Sequence, residues 1–143
     1  MDSTELPEIT VRAAKAEDVA ELAGFIHPFV EEGRILPRTD EELGELIAHG
    51  FVAEMDGRIV GFTALEVYSP KLAEIRSLAV ADECQGRGVG KRLVQACVDL
   101  ARERNVLEVM AITSSETFFK NCGFDFTLPG EKKALFVHTR DDE

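Results

Sequence analysis

The sequence predicts a mixed α/β domain, and three observations lead there. Short runs of alternating apolar and polar residues lie beside segments whose apolar residues recur every three or four positions. An Asp-Gly pair at 56–57 joins two apolar runs, the pattern of a β-hairpin. A strand-like run at 72–80 leads through a glycine-rich loop into the most regular amphipathic segment of the chain, 88–104. Together they give the order β-α-α-β-β-β-α-β-α-β within one domain, residues 1–143.

The first strand is "EITVRAA" (8–14), by its alternation. Residues 15–26 follow as a helix: Val19, Leu22, Phe25 and Ile26 share one face, and acids stand near its start, where the helix dipole favours them. Pro28 is expected to end or kink it. "EEGRILPRT" (31–39) reads as a loop. Thr39 or Asp40 can cap a second helix over 40–50, which Gly50 stops. Residues 51–55 and 58–68 form the hairpin around Asp56-Gly57, and 72–80 forms the next strand. In the helix at 88–104, Val89, Leu93, Ala96, Cys97, Leu100 and Ala101 line one stripe, and Asn105 can close it. A strand at 107–113, a short helix at 115–123 and a last strand at 133–139 complete the chain.

Composition excludes several classes. The chain has 143 residues and a formal charge of −11, with 16 Lys and Arg against 27 Asp and Glu. General nucleic-acid binding needs a basic surface, so no nucleic-acid partner is expected. No apolar run reaches membrane-spanning length, and the polar, acidic start is not a signal peptide, so no membrane partner is expected either. Cys84, Cys97 and Cys122 are too few and too scattered for a disulfide framework or a zinc site, and suit a reducing cytoplasm. His27, His49 and His138 share no metal-ligand spacing, and no metal is expected.

Against that acidic background, "SLAVADECQGRGVGKRL" (77–93) gathers Arg87, Lys91 and Arg92 around three glycines. A phosphate-binding P-loop would need glycine at Gln85 and a hydroxyl at Arg92, and a dinucleotide fingerprint would need its last glycine one residue later. A simple glycine-rich turn with solvated charges is the plain alternative. The context favours an anion: a strand enters the loop, a long helix leaves it, and the first amides of that helix have no internal partners. The local reading is a pyrophosphate cradle.

The same stretch resembles the acyl-CoA signature of the GCN5-related N-acetyltransferases, [QR]-x-x-G-x-[GA] after a strand, met by Gln85, Gly88 and Gly90. The element order, the hairpin before the signature and the later "FFKNCGF" also match, over nearly the whole chain. The resemblance implies a mixed sheet with splayed central strands and acetyl-CoA as co-substrate. It implies CoA contacts from Leu78, Ala79 and Val80 on the strand, from Gln85, Gly86, Arg87, Gly88, Val89, Gly90 and Lys91 in the loop, and from Phe119.

Acetyl transfer to an amine requires a base for the amine, stabilisation of the carbonyl oxygen and an exit for the thiolate. Glu74 resembles the glutamate that histone acetyltransferases of this family use as base. The alternatives are an exposed strand glutamate, or one paired with Arg76 or with a substrate cation. Many relatives supply a tyrosine acid in F-Y-x-x-x-G-F. Phe119 stands in that place, and the single tyrosine, Tyr68, lies elsewhere in the sequence. Water, or a hydroxyl such as that of Ser115, is left to protonate the thiolate, which also leaves readily unaided.

N-acetylglutamate synthases, which acetylate the α-amine of glutamate for arginine synthesis, also lack that tyrosine. "IHPFVEEGRILPRTDEEL", "SPKLAEIRSLAV" and "LPGEKKALFVHTR" resemble segments of their acetyltransferase domain. The resemblance implies that Arg38, Lys71 and Arg140 hold substrate carboxylates. No amino-acid kinase domain, which many such synthases carry, is expected from these residues, and Asp142 replaces a polar neutral residue beside the proposed site. The expectation is a cytoplasmic enzyme acting on a small-molecule amine, an amino acid such as glutamate. A polyamine or protein N-terminus as acceptor, and a non-catalytic acyl-CoA-binding module, are the rivals. The oligomeric state is open, a homodimer being compatible with the sequence.

Overall fold

The computed structural model describes residues 7–126 together with 135, 137 and 139. β1 (Ile9–Ala13) leads through a 3₁₀ turn into α1 (Val19–Glu31), followed by α2 (Asp40–Leu46). β2 (Gly50–Met55), β3 (Arg58–Ser69) and β4 (Leu72–Val80) form an antiparallel meander. α3 (Val89–Glu103), β5 (Glu108–Met110) and α4 (Glu116–Asn121) follow. Among the described residues the sheet order is β1-β2-β3-β4-β5, with only the β4–β5 pair parallel. The expected last strand, 133–139, lies outside the described residues except for isolated positions.

Alternation along the strands divides the core between the two faces of the sheet. On one face α1 and α2 bury Leu22, Ile26, Leu43 and Leu46 against Val52, Phe62 and Ala64. On the other, α3 buries Val89, Leu93, Val94 and Cys97 against Ala53, Val60, Leu65 and Ile75. A Cβ at Gly61 would stand 3.0 Å from Leu93 and 3.1 Å from Ala53, so the glycine sets how closely α3 approaches the sheet. That approach fixes where the first turn of α3 begins.

The expected elements form, with shifted ends. α1 runs past Pro28 to Glu31, although the proline was expected to end or kink it. Pro28 lies on the exposed side, where the Gly24 carbonyl left without a partner can reach water. The helix ends instead at Gly33, φ 72°, with Gly33 N–H donating to Val30 C=O and Arg34 N–H to Phe29 C=O. Thr39 caps α2 through a capping box with Glu42. α2 then tightens into a 3₁₀ turn, and Gly50 begins β2 rather than closing a helix. Asp56 and Gly57 both have positive φ, the hairpin turn their identities anticipate. Asn105, φ 59°, closes α3 with Val106 N–H on Ala101 C=O.

Two departures from regular pairing open the sheet. Between Phe62↔Ala79 and Ala64↔Arg76, Thr63 faces two β4 residues, and Ser77 takes φ 56°. The buried Thr63 hydroxyl donates to Arg76 C=O at 3.0 Å and holds the bulge. β5, expected over 107–113, pairs with β4 only from Leu72 to Glu74. Beyond Glu74 the outer edge of β4 has no strand partner among the described residues, and the sheet splays.

Candidate active site

The splay becomes a cleft of about 1150 Å³. One wall is the α1–α2 loop, with Arg34 and Arg38; the floor is β4 from Glu74 to Val80. The far end is the glycine loop, and the last wall is the segment from Ala111 to Ser115 with Phe118 and Phe119.

At the loop, Gly88 is the residue before α3 and takes φ 76°, where a side chain is strained. The first intrahelical bond runs from Arg92 N–H to Gly88 C=O, 3.1 Å, so the amides of Val89, Gly90 and Lys91 precede it, and among the described residues no side chain caps the helix. These amides carry the positive end of the helix dipole. Gln85 Nε2 donates to Val80 C=O at 3.0 Å and pins the loop to the end of β4. Gly90 packs closely, since a Cβ there would stand 3.2 Å from the Phe118 ring. Free amides, unpaired β4 backbone and an open cradle at Gly88 fit a pyrophosphate with an extended arm, as CoA has.

The three basic residues of the loop divide. Lys91 lines the cleft. Arg87 does not: its guanidinium donates to Pro7 C=O at 2.8 Å and lies 3.7 Å from Met55 Sδ. Arg92 donates to Ile9 C=O at 2.9 Å. Two of the charges that marked the loop in the sequence thus tie α3 to the start of β1.

At the other end, Glu74 lines the cleft and is only 8% exposed. It stands directly opposite Glu66 on β3. Two carboxylates so placed repel, and Arg76 lies between them, its Nη1 2.8 Å from Glu66 Oε1 and 3.6 Å from Glu74 Oε1. Tyr68 donates its hydroxyl to Glu74 Oε1 at 2.5 Å. The tyrosine set aside in the sequence therefore contacts the candidate base. Burial, and then the bond to Glu74, push its phenol up to about 12. Glu74 is thus neither an exposed strand residue nor a simple partner of Arg76.

Arg38 reaches the cleft with its Nε buried and without a partner among the described residues. Lys71, in the β3–β4 turn, is exposed and does not line the cleft, and Arg140 lies outside the described residues. Arg34, not singled out in the sequence, lines the cleft with its guanidinium over the Phe29 ring. Phe119 lines it too but is largely core, edge-on to both Phe118 and Phe124. Thr113, Ser114 and Ser115 supply hydroxyls along the same wall. Among the described residues no cluster of three His, Cys, Asp or Glu is placed to hold a metal, and no helix is long and apolar enough to cross a membrane.

Residues 15–124 match the model of the acetyltransferase (GNAT) family. Over 114 residues the chain is 37% identical to an uncharacterized N-acetyltransferase of Chlorobaculum tepidum, covering 80% of this chain and 74% of that one. It is 31% identical over 118 residues to the amino-acid acetyltransferase of Neisseria meningitidis, covering 81% of this chain but 27% of the relative. Among solved structures, a Mycobacterium tuberculosis protein in complex with CoA superposes with a TM-score of 0.74 and 29% identity, over 80% of this chain and 70% of that one. N-acetylglutamate synthase from Neisseria gonorrhoeae, complexed with coenzyme A and N-acetyl-glutamate, gives 0.72 and 28%, over 82% of this chain and 28% of the synthase. The chain thus spans less than a third of the synthase and of the amino-acid acetyltransferase.

Proposed function

The chain belongs to the acetyltransferase (GNAT) family, and on that premise we propose that it transfers acetyl from acetyl-CoA to the amine of a small molecule, an amino acid such as L-glutamate. The observation that carries the reading is one cleft holding the glycine loop at one end and Glu74 with Arg38 at the other. The proposal takes residues 1–143 as one acetyltransferase domain, cytoplasmic and serving arginine synthesis; the amino-acid acetyltransferases among its relatives support this.

Acetyl-CoA supplies an activated acyl group as a thioester. The α3 amides, Gly88 and Lys91 hold its pyrophosphate, and the outer edge of β4 at Leu78, Ala79 and Val80 its arm. Glu74 accepts the proton of the acceptor's ammonium, freeing the nitrogen lone pair for attack. A backbone N–H near Leu78 or Ala79 donates to the carbonyl oxygen as charge develops there. Phe119 has no proton to give, so water or the Ser115 hydroxyl protonates the departing thiolate. Arg38, which lines the cleft, offers its guanidinium to a substrate carboxylate, a task that suits its planar fork. Lys71 joins the proposed carboxylate set only if the acceptor extends beyond the cleft wall, and Arg140 belongs to the set by the resemblance alone.

A second reading has its own observation. A groove of about 330 Å³ shares Arg38 with the cleft and is lined by Glu42, Glu45, His49 and Glu66. Its acids suit a cationic acceptor such as a polyamine. A screen of CoA thiol release across amino acids, polyamines and peptides with free N-termini separates the two. Fastest turnover of glutamate supports the amino-acid reading, fastest turnover of a polyamine replaces it, and no turnover of any amine leaves a CoA-binding module.

A further inference from the structure

The β3–β4 register places Glu66 opposite Glu74, so Glu66 and Tyr68 on β3 share one face of the sheet with Glu74 and Arg76 on β4. Within this quartet the direction of each hydrogen bond is determined. Arg76 has only donors, and its Nη1 donates to the Tyr68 hydroxyl oxygen at 3.2 Å. The tyrosine's own proton is therefore left for Glu74 Oε1, 2.5 Å away. An O–H on an ionised carboxylate at that distance is among the stronger hydrogen bonds of a protein. Glu74 and Arg76 line the cleft, whereas Tyr68 does not. Tyr68 thus reaches the cleft through its hydrogen bond to Glu74.

We infer that Tyr68 is a positioning residue for Glu74: its hydroxyl, oriented by Arg76, occupies Oε1 and leaves Oε2 as the oxygen that takes the amine proton. The phenol is pushed up to about 12, so it remains a donor throughout the working range of an acetyltransferase. A carboxylate free to rotate would present either oxygen, and proton transfer requires one of them at hydrogen-bond distance from the amine. The ring is 48% exposed, so removing the hydroxyl alone leaves the core intact.

The inference rests on Glu74 being the base, and the test separates the two. Tyr68→Phe, Glu74→Gln and the double variant are compared by kcat, by KM for each substrate and by thermal melting, with the acceptor turned over fastest in the screen. Tyr68→Phe is expected to lower kcat about tenfold, the loss expected for one charge-assisted hydrogen bond, with KM for acetyl-CoA unchanged; the same lost bond lowers the melting temperature by several degrees, so activity is read well below the melting range. In the Glu74→Gln background the same change is expected to have no further effect. A wild-type kcat for Tyr68→Phe, or the same tenfold loss in both backgrounds, overturns the positioning role. Wild-type activity in Glu74→Gln instead removes the base assignment, and the positioning role with it.

Discussion

Replacing Gly88 first by alanine and then by glutamate separates two contributions of the loop. Both side chains meet the same backbone, φ 76°, and a Cβ there has nothing within 4 Å. The shared cost is conformational, about 1–2 kcal/mol for a residue held in the left-handed region. For a chain of 143 residues this lowers the melting temperature by about 3–8 °C in either variant. Only the glutamate adds a charge, at the amides where the pyrophosphate is proposed to sit. Two like charges about 4 Å apart near a protein surface repel by about 4 kcal/mol, and half that already raises Kd about thirtyfold. Calorimetric titration with CoA measures it: Gly88→Ala is expected to bind within about threefold of the native protein, and Gly88→Glu at least about thirtyfold more weakly. Equal affinities for the two variants, with equal melting temperatures, would refute a phosphate site at this helix end.

Three further outcomes are expected. Lys91→Ala should weaken CoA binding about tenfold, more at low salt, whereas Arg92→Ala, which loses its bond to Ile9 C=O, should lower stability and leave CoA affinity alone; calorimetry and urea melts read the two. Arg38→Ala should raise KM for glutamate about tenfold or more and leave KM for acetyl-CoA unchanged, in steady-state assays. Arg12 grips Asp18 at 2.9 Å through both guanidinium ends and Glu54 through Nε. Hydrogen bonding to Arg12 holds both carboxyls below their usual range. A lowered folded-state value adds stability above the unfolded value, near 4, that is lost as pH falls through the folded value. The urea midpoint should therefore drop on acidification below about pH 4, and Arg12→Ala should flatten that drop.

Local chemistry explains which features could be read from the sequence. The Asp56-Gly57 turn, the Thr39 cap and the Asn105 stop each depend on a residue's own backbone preferences, and they fall where expected. The glycine loop was legible because its strand-loop-helix context is contiguous. Arg87 and Arg92 were legible as charges but not as ties to Pro7 and Ile9, contacts some eighty residues distant in the chain. Pro28 does not end α1, because its cost depends on whether the carbonyl it orphans faces water. The bulge at Ser77 carries no residue signature, since serine has no preference for positive φ, and without the bulge neither the register nor the splay follows. Tyr68 belongs to the site only through that register, which brings it to Glu74 across the sheet. Lys71 was grouped with Arg38 by resemblance, yet the β3–β4 turn keeps it off the cleft wall.

The most direct test of the account is the rate of CoA release from acetyl-CoA with saturating L-glutamate, native protein against Glu74→Gln, at neutral pH. A base in this cleft predicts a loss of about 10²-fold or more in the variant, with calorimetric CoA affinity unchanged and the deficit shrinking as pH rises and the amine deprotonates by itself. Equal rates at neutral pH would contradict it and assign the proton to water.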